Sequence, residues 1–143
     1  MEKFEVVDPE FEPRVRAEFE SQRLMRTLRA ELTVVSPGEV RIEMPFDAGL
    51  TQQDGFVHAG VITAIVDSAC GFAAYTLMAP GFRVLSVEFK MNLLRPAAGE
   101  RFAATGRVIK PGRTLTVCSG EVVAIAEGKE KLIAAIQATM MAV

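Results

Sequence analysis

Gln53-Asp54-Gly55-Phe56-Val57-His58-Ala59-Gly60 runs straight into an apolar segment, Ala59 to Pro80, in which Asp67 is the one charged residue. A charge inside an apolar helix costs roughly several kcal/mol unless it is paired or put to use. His58, the single histidine of the chain, stands at the mouth of that helix. Polar loop, helix start and enclosed acid together point to a reaction site rather than plain core. The apolar segment predicts a buried helix from Ala59 to about Met78, stopped by Pro80-Gly81.

The flanks read differently. Asp8-Pro9-Glu10 has the form of a helix start, with Asp8 as cap and Pro9 at the first helical position. Phe11, Val15 and Phe19 recur at i+4, and Leu24 and Leu28 continue the stripe, so an amphipathic helix lies on the surface. Ala30, Leu32 and Val34 alternate with polar residues. Pro37-Gly38 fits a type II turn, and Val40, Ile42 and Met44 alternate again. The stretch from Pro45 to Val57 is loop. Beyond the helix, Val87, Phe89, Met91 and Leu93 are expected on one face of a strand, with Ser86, Glu88, Lys90 and Asn92 on the other. Phe102–Val108, Thr114–Ile125 and Leu132–Met140 are three further alternating runs. Short turns at Lys110-Pro111-Gly112-Arg113 and Glu127-Gly128-Lys129-Glu130 make them an antiparallel meander. The fold class is α+β: a sheet of about five to six antiparallel strands around one long helix, plus an N-terminal helix.

The totals bound the function. The chain of 143 residues is half hydrophobic and suits one domain, with 1–29 as a helical extension and 30–143 as the core. Lys and Arg number 16 against 18 Asp and Glu, a net charge of −2, which argues against a nucleic-acid partner. Cys70 and Cys118 stand far apart with no metal-ligand spacing, as buried reduced thiols in a cytoplasmic protein do. The acidic start Met1-Glu2-Lys3-Phe4-Glu5 has no apolar leader pattern. The 59–80 segment is long enough to span a membrane, but Asp67 at its middle, its Ala and Gly content and the lack of flanking Lys or Arg argue against that.

Four places carry a resemblance: Gln52-Gln53-Asp54-Gly55 leading to His58-Ala59-Gly60; Asp67 in the helix that follows; Leu85-Ser86-Val87-Glu88-Phe89; and Arg95-Pro96. Over roughly residues 30 to 142 the chain resembles the hotdog fold and, within it, the phenylacetate-degradation (PaaI-type) acyl-CoA thioesterases. It departs from the family at two positions. Ala59 stands where the family usually has the first Gly of His-Gly-Gly, and Gln52 stands where many members have Asn. The resemblance implies an acyl-CoA substrate, coenzyme A only as part of that substrate, no cofactor, and a homodimer or a dimer of dimers (a homotetramer).

Backbone N–H groups at a helix start suit the oxyanion of an attacked thioester, because they are unpaired and the helix dipole is positive there. Ala59 N–H, with Gly60 N–H beside it, is the candidate donor. Asp67 lies about 12 Å further along the axis and cannot act beside its own helix start. The family resolves this by facing the acid of one subunit with the donor of the other. Asp67 then serves as general base on water or as nucleophile. His58 is structural or substrate-orienting; nothing in the chain forms a nucleophile elbow. Gln52 is a candidate to hold water or carbonyl, and Ser68 and Ser86 to touch the acid or the substrate. Lys90, Arg95, Lys110 and Arg113 are candidates for the phosphates of coenzyme A. Phe72, Tyr75 and Met78 are candidate walls for the acyl group. Two other functions stay open: a dehydratase or hydratase acting on acyl thioesters, which commonly needs a His in an acid–base pair, and a non-catalytic acyl-CoA-binding module. For a DNA-linked sensor, the roughly 28 residues before the sheet are short and begin acidic.

Overall fold

Chain order is α1 (Phe11–Ser21), α2 (Arg23–Thr27), β1 (Glu31–Ser36), β2 (Glu39–Pro45), a 3₁₀ turn at Ala48–Leu50, α3 (Ala59–Tyr75), β3 (Val84–Leu93), β4 (Arg101–Lys110), β5 (Leu115–Ala126) and β6 (Lys129–Ala142). This is a computed structural model, and it describes residues 3–143. Met1 and Glu2, the first two residues of the acidic start, lie outside the described residues. All pairings are antiparallel, and the strands form one sheet in the order β1-β2-β4-β5-β6-β3. The meander β4-β5-β6 is as expected. β3 crosses to the far side of β6 and ends as an edge strand.

The helix sits on two glycines. Gly106 of β4 pairs with Gly120 of β5. A Cβ at Gly106 would fall 2.4 Å from the backbone of Ala69 and Cys70, and one at Gly120 would fall 2.8 Å from Val66 Cγ2. Glycine lets the helix backbone approach the sheet that closely. Ile62, Ile65, Val66 and Ala69 then meet Val40, Ile42, Met44, Phe102 and Val122, all fully buried. Each large side chain so buried contributes about 1.5–3 kcal/mol.

The helix ends a turn before Met78. Buried Thr76 donates from Oγ1 to Ala73 O (2.7 Å) and accepts from Gly38 N–H (2.8 Å). Arg14 reaches over from α1, donates to Met78 O at 2.7 Å and lies 4.4 Å above the Tyr75 ring. A cation on these final carbonyls suits the negative end of the dipole. Pro80-Gly81 therefore follows the stop rather than causing it.

The N-terminal region departs from expectation in two ways. Asp8, three residues before the first residue of α1, does not cap it; it accepts from Glu10 N–H (2.9 Å) and pairs with Arg14 (2.9 Å). The helix also breaks at Gln22, whose ψ of 102° is extended. That break resets the helical phase, so Met25 and Leu28 are buried while Leu24 is exposed.

β3 departs as well. Its pairing with β6 slips between Ser86 and Glu88, leaving Val87 as the extra residue of a bulge. Ser86 thus joins Phe89, Met91 and Leu93 on the helix side instead of opposing them.

Candidate active site

Two groups of predicted residues take shape around α3. The first is at its start. Gln52 Oε1 accepts from Asp54 N–H (2.7 Å) and Phe56 N–H (3.2 Å), which closes the loop on itself. Val57 N–H donates to Ala97 O and His58 N–H to Leu50 O, fastening the loop to its neighbours. His58 is the N-cap, and its Nδ1 accepts from Gly60 N–H at 2.8 Å. That bond requires the neutral tautomer with its proton on Nε2. It also corrects an expectation: Gly60 N–H is already engaged and is not a free donor. Ala59 N–H has no partner among the described residues and is exposed. Ala59 borders a cavity of about 380 Å³, together with Gln52, Phe56, Ile62, Leu93 and Arg95.

The second group surrounds Asp67. The acid is half-buried, not fully enclosed as the apolar run suggested, because it faces the thinly covered β3 side of the helix. Ser86 Oγ donates to Asp67 Oδ1 at 2.7 Å. The β3 bulge turns that hydroxyl inward. Ser68, next in sequence, does not touch the acid; its Oγ donates to Gln22 Oε1 at 3.0 Å. A space of about 120 Å³ lies here, bounded by Gln22, Asp67, Ser68, Phe72, Ser86 and Met140. Asp67 and Ala59 are separated by about 12 Å of helix, so one chain does not bring the two groups together.

Comparison with known proteins gives this geometry a family. A model of the Thioesterase superfamily matches residues 54–130, the span holding the loop, α3 and Asp67. The chain belongs to the thioesterase superfamily. Human acyl-coenzyme A thioesterase 13 is 31% identical over 120 residues, covering 80% of this chain and 83% of that one. The crystal structure of a thioesterase family protein from Silicibacter pomeroyi is 49% identical, with a TM-score of 0.92 over 93% of this chain and 98% of that one. The E. coli PaaI protein, from the phenylacetic acid degradation operon, has a TM-score of 0.84 at 19% identity over 93% of each chain, a likeness of fold. The chain is a thioester hydrolase of hotdog fold, as the motifs implied.

The remaining predicted residues of this thioesterase are dispersed. Arg95 borders the cavity at Ala59 and donates to Leu132 O at 2.6 Å. Lys90 is exposed on the outer face of β3, opposite Gln137. Lys110 ends β4, exposed beside the hairpin. Arg113 lies at the other end of the helix, beside Leu77, Met78 and Phe82, far from Ala59 in the same chain. Phe72 and Tyr75 are roofed by α1: Phe72 meets Phe19 edge-on at 6.1 Å, and Tyr75 lies under Arg14. Cys70 and Cys118 are buried between helix and sheet. Burial, then the neighbouring Cys118 and Asp67, pushes the Cys70 thiol far up; burial pushes Cys118 up to about 12. Neither thiol is a nucleophile at neutral pH. Among the described residues no cluster of three or more His, Cys, Asp or Glu could hold a metal, and no helix is long and apolar enough to cross a membrane. Sequence reasoning missed Gln22. Its one signal was a polar residue interrupting the helical stripe, which reads as surface.

Proposed function

We propose that the protein is an acyl-CoA thioesterase whose site is shared between two copies of the chain. Ala59 N–H and Gln52 of one copy face Asp67 and Ser86 of the other. The observation that carries this is the unengaged Ala59 N–H on one cavity and the Ser86-bonded acid on another, too far apart to act within one chain. Beside them runs the β3 edge, whose Leu85, Val87 and Phe89 are each about half exposed. An apolar, unpaired edge supports pairing with a second copy. Buried, reduced cysteines support a cytoplasmic setting.

The chemistry follows. The thioester carbonyl accepts from Ala59 N–H. It also accepts from Gln52 Nε2, which is unpartnered among the described residues while its Oε1 anchors the loop. Ser86 holds Asp67 Oδ1 and leaves Oδ2 to take a proton from water. The water oxygen bonds to the carbonyl carbon, and the carbonyl π pair moves to the oxygen facing Ala59. That charge lies where unpaired helix-start N–H groups are worth most. The C–S bond then breaks, and the thiolate of coenzyme A recovers the proton from Asp67. His58 positions the helix start; its ring faces Gly60 rather than Asp67, which speaks against a dehydratase built on a His–Asp pair. Arg95 is the nearest cation for a phosphate of coenzyme A.

The test is thiol release from a panel of acyl-CoAs, with Asp67→Asn and Gln52→Ala measured separately and then mixed. Asp67→Asn is expected to lower kcat about 10³-fold with the assembly intact. Subunit exchange between the two variants should restore roughly a quarter of wild-type activity, since half the dimers then carry one intact site of two. No recovery on mixing would sink the shared site. Acyl-CoA binding with no thiol release by wild type would replace the enzyme with a binding module.

A further inference from the structure

We propose that Gln22, at the break between α1 and α2, sets the length of acyl group this thioesterase accepts. The inference rests on the acyl-CoA reading of the Asp67 site. The space beside Asp67 is about 120 Å³. At roughly 30 Å³ per water-sized volume, that holds about four small groups, enough for the first carbons of an acyl chain. Beside it, beneath α1, lies a larger groove of about 300 Å³ that opens to solvent: Phe72, Tyr75 and Val84 give it an apolar floor, and Ser21 with the Glu18–Arg83 ion pair forms its polar rim. The two spaces share three walls: Gln22, Phe72 and Val84. Phe72 is fixed in the core, locked edge-on against Phe19. Val84 is fixed by its place in β3, paired with Ala142. Gln22 is the adjustable wall of the three.

The backbone explains why this side chain stands there. At ψ 102° Gln22 leaves the helix, and its N–H returns to Phe19 O at 3.1 Å. A residue continuing α1 would follow the helical phase; the break turns this one toward α3. Ser68 Oγ then takes Gln22 Oε1 at 3.0 Å and holds the amide one residue from Asp67. The result is a plug on a tether. The plug is polar, so a chain pressing against it meets an amide that an apolar tail cannot satisfy. Burying such a group unpaired costs roughly 1–3 kcal/mol, which adds to the steric stop.

The experiment compares kcat/KM for hexanoyl-CoA and decanoyl-CoA. In Gln22→Ala the two spaces join, and the decanoyl-to-hexanoyl ratio is expected to rise at least about tenfold, the scale on which apolar pockets discriminate by length. The gain should enter through a lower KM for decanoyl-CoA. Gln22→Met refills the volume without the amide and should return the ratio most of the way to wild type. Ser68→Ala frees the plug and should raise the ratio by less than Gln22→Ala. A folded Gln22→Ala enzyme with the wild-type ratio overturns the proposal and leaves the thioesterase reading standing. Equal ratios in Gln22→Ala and Gln22→Met also overturn it, because a role confined to the hydrogen bond would look like that. If Gln22→Ala misfolds, Gln22→Ser carries the same prediction. Absence of thiol release from every acyl-CoA by wild type overturns the underlying function, and this inference with it.

Discussion

β3 and β4 are both ten residues long, and their fates are opposite. β3 carries the bulkier apolar set, Val84, Leu85, Val87, Phe89, Met91 and Leu93, yet it is mostly exposed. β4 carries Phe102, two alanines, a glycine, Val108 and an exposed Ile109, yet it is mostly buried. What differs is what lies upon them. β4 has β2 and β5 on either side and α3 seated on Gly106. β3 pairs with β6 alone, and α3 packs on it less closely than on β4. Hydrophobicity states what a strand needs covered; topology states whether this chain covers it. Phe89 and Leu93 of β3 stay about half exposed on the helix side, the same side as Ser86 and Asp67, and under the proposed shared site a second copy covers them.

The largest effect belongs to β4. Gly106→Val would drive a side chain into the backbone of Ala69 and Cys70, where even a Cβ finds only 2.4 Å. Neither backbone can step aside, so the cost should reach the upper end for overpacking, about 3 kcal/mol or more. Calorimetry should show Tm lower by about 10 °C or beyond, if the protein folds at all. A comparable enlargement on β3, Leu85→Phe, should leave the melting of isolated chains within about 1 °C, since Leu85 is exposed. A tolerant Gly106 would mean that the helix is not seated on β4, and the contrast would fail.

The next effect belongs to β3. Phe89→Lys with Leu85→Lys places two charges on the free edge, a device by which natural sheets refuse partners. Self-association measured by sedimentation should weaken at least a hundredfold, in line with losing apolar anchors from an interface. Circular dichroism should stay that of the folded chain, while thiol release falls with the loss of the partner. Arg107→Gln, which gives up only an exposed ion pair of β4 with Glu39, should alter neither. A dimer that survives both lysines would place the interface elsewhere.

The same contrast explains what could be read from the chain beforehand. Alternation at Val40, Ile42 and Met44, along β5 and along β6 from Ala134 is legible from its period of two; β4 breaks it, buried without interruption from Phe102 to Gly106, and in β6 Ile133 rather than Leu132 is buried, where the pairing with β5 shifts register. The acid in the apolar helix was legible because it broke a pattern. The Val87 bulge is not, since an extra residue leaves the alternation intact on either side and merely reverses its sense, so the pattern alone puts Ser86 on the wrong face. Helix-start N–H groups are ordinarily free, so the sequence alone makes Gly60 a donor; His58 turns back and takes its N–H, which only the fold reveals. Gln22 and Ser68 lie in different elements, and no local rule joins them. The end of α3 depends on Arg14 and Thr76, which act across space, whereas Pro80-Gly81 was merely nearby.

The smallest effect concerns how β3 is anchored where it begins. Arg83 directly precedes the strand, exchanges backbone hydrogen bonds with Val143, and donates from both terminal guanidinium nitrogens to the Glu18 carboxylate of α1 at 2.8 Å. The hydrogen bond from Arg83 holds the Glu18 carboxyl below its ordinary value of 4.5, against a weaker opposing effect of burial. A carboxyl whose folded pKa is lowered adds stability that is fully present above the ordinary value and is lost as pH falls through the lowered one. Arg83 is well exposed, so water and salt screen most of the attraction. Glu18→Gln should therefore melt only about 1 °C below wild type at pH 7. That gap should close as the pH drops below 4.5 and Glu18 takes up its proton. It should narrow in high salt as well. A gap unchanged at low pH would mean that the Glu18 side chain acts by packing rather than by charge. The start of β3 would then be held much as β4 is, by what lies against it, and the difference between the two strands would be confined to the stretch from Leu85 onward.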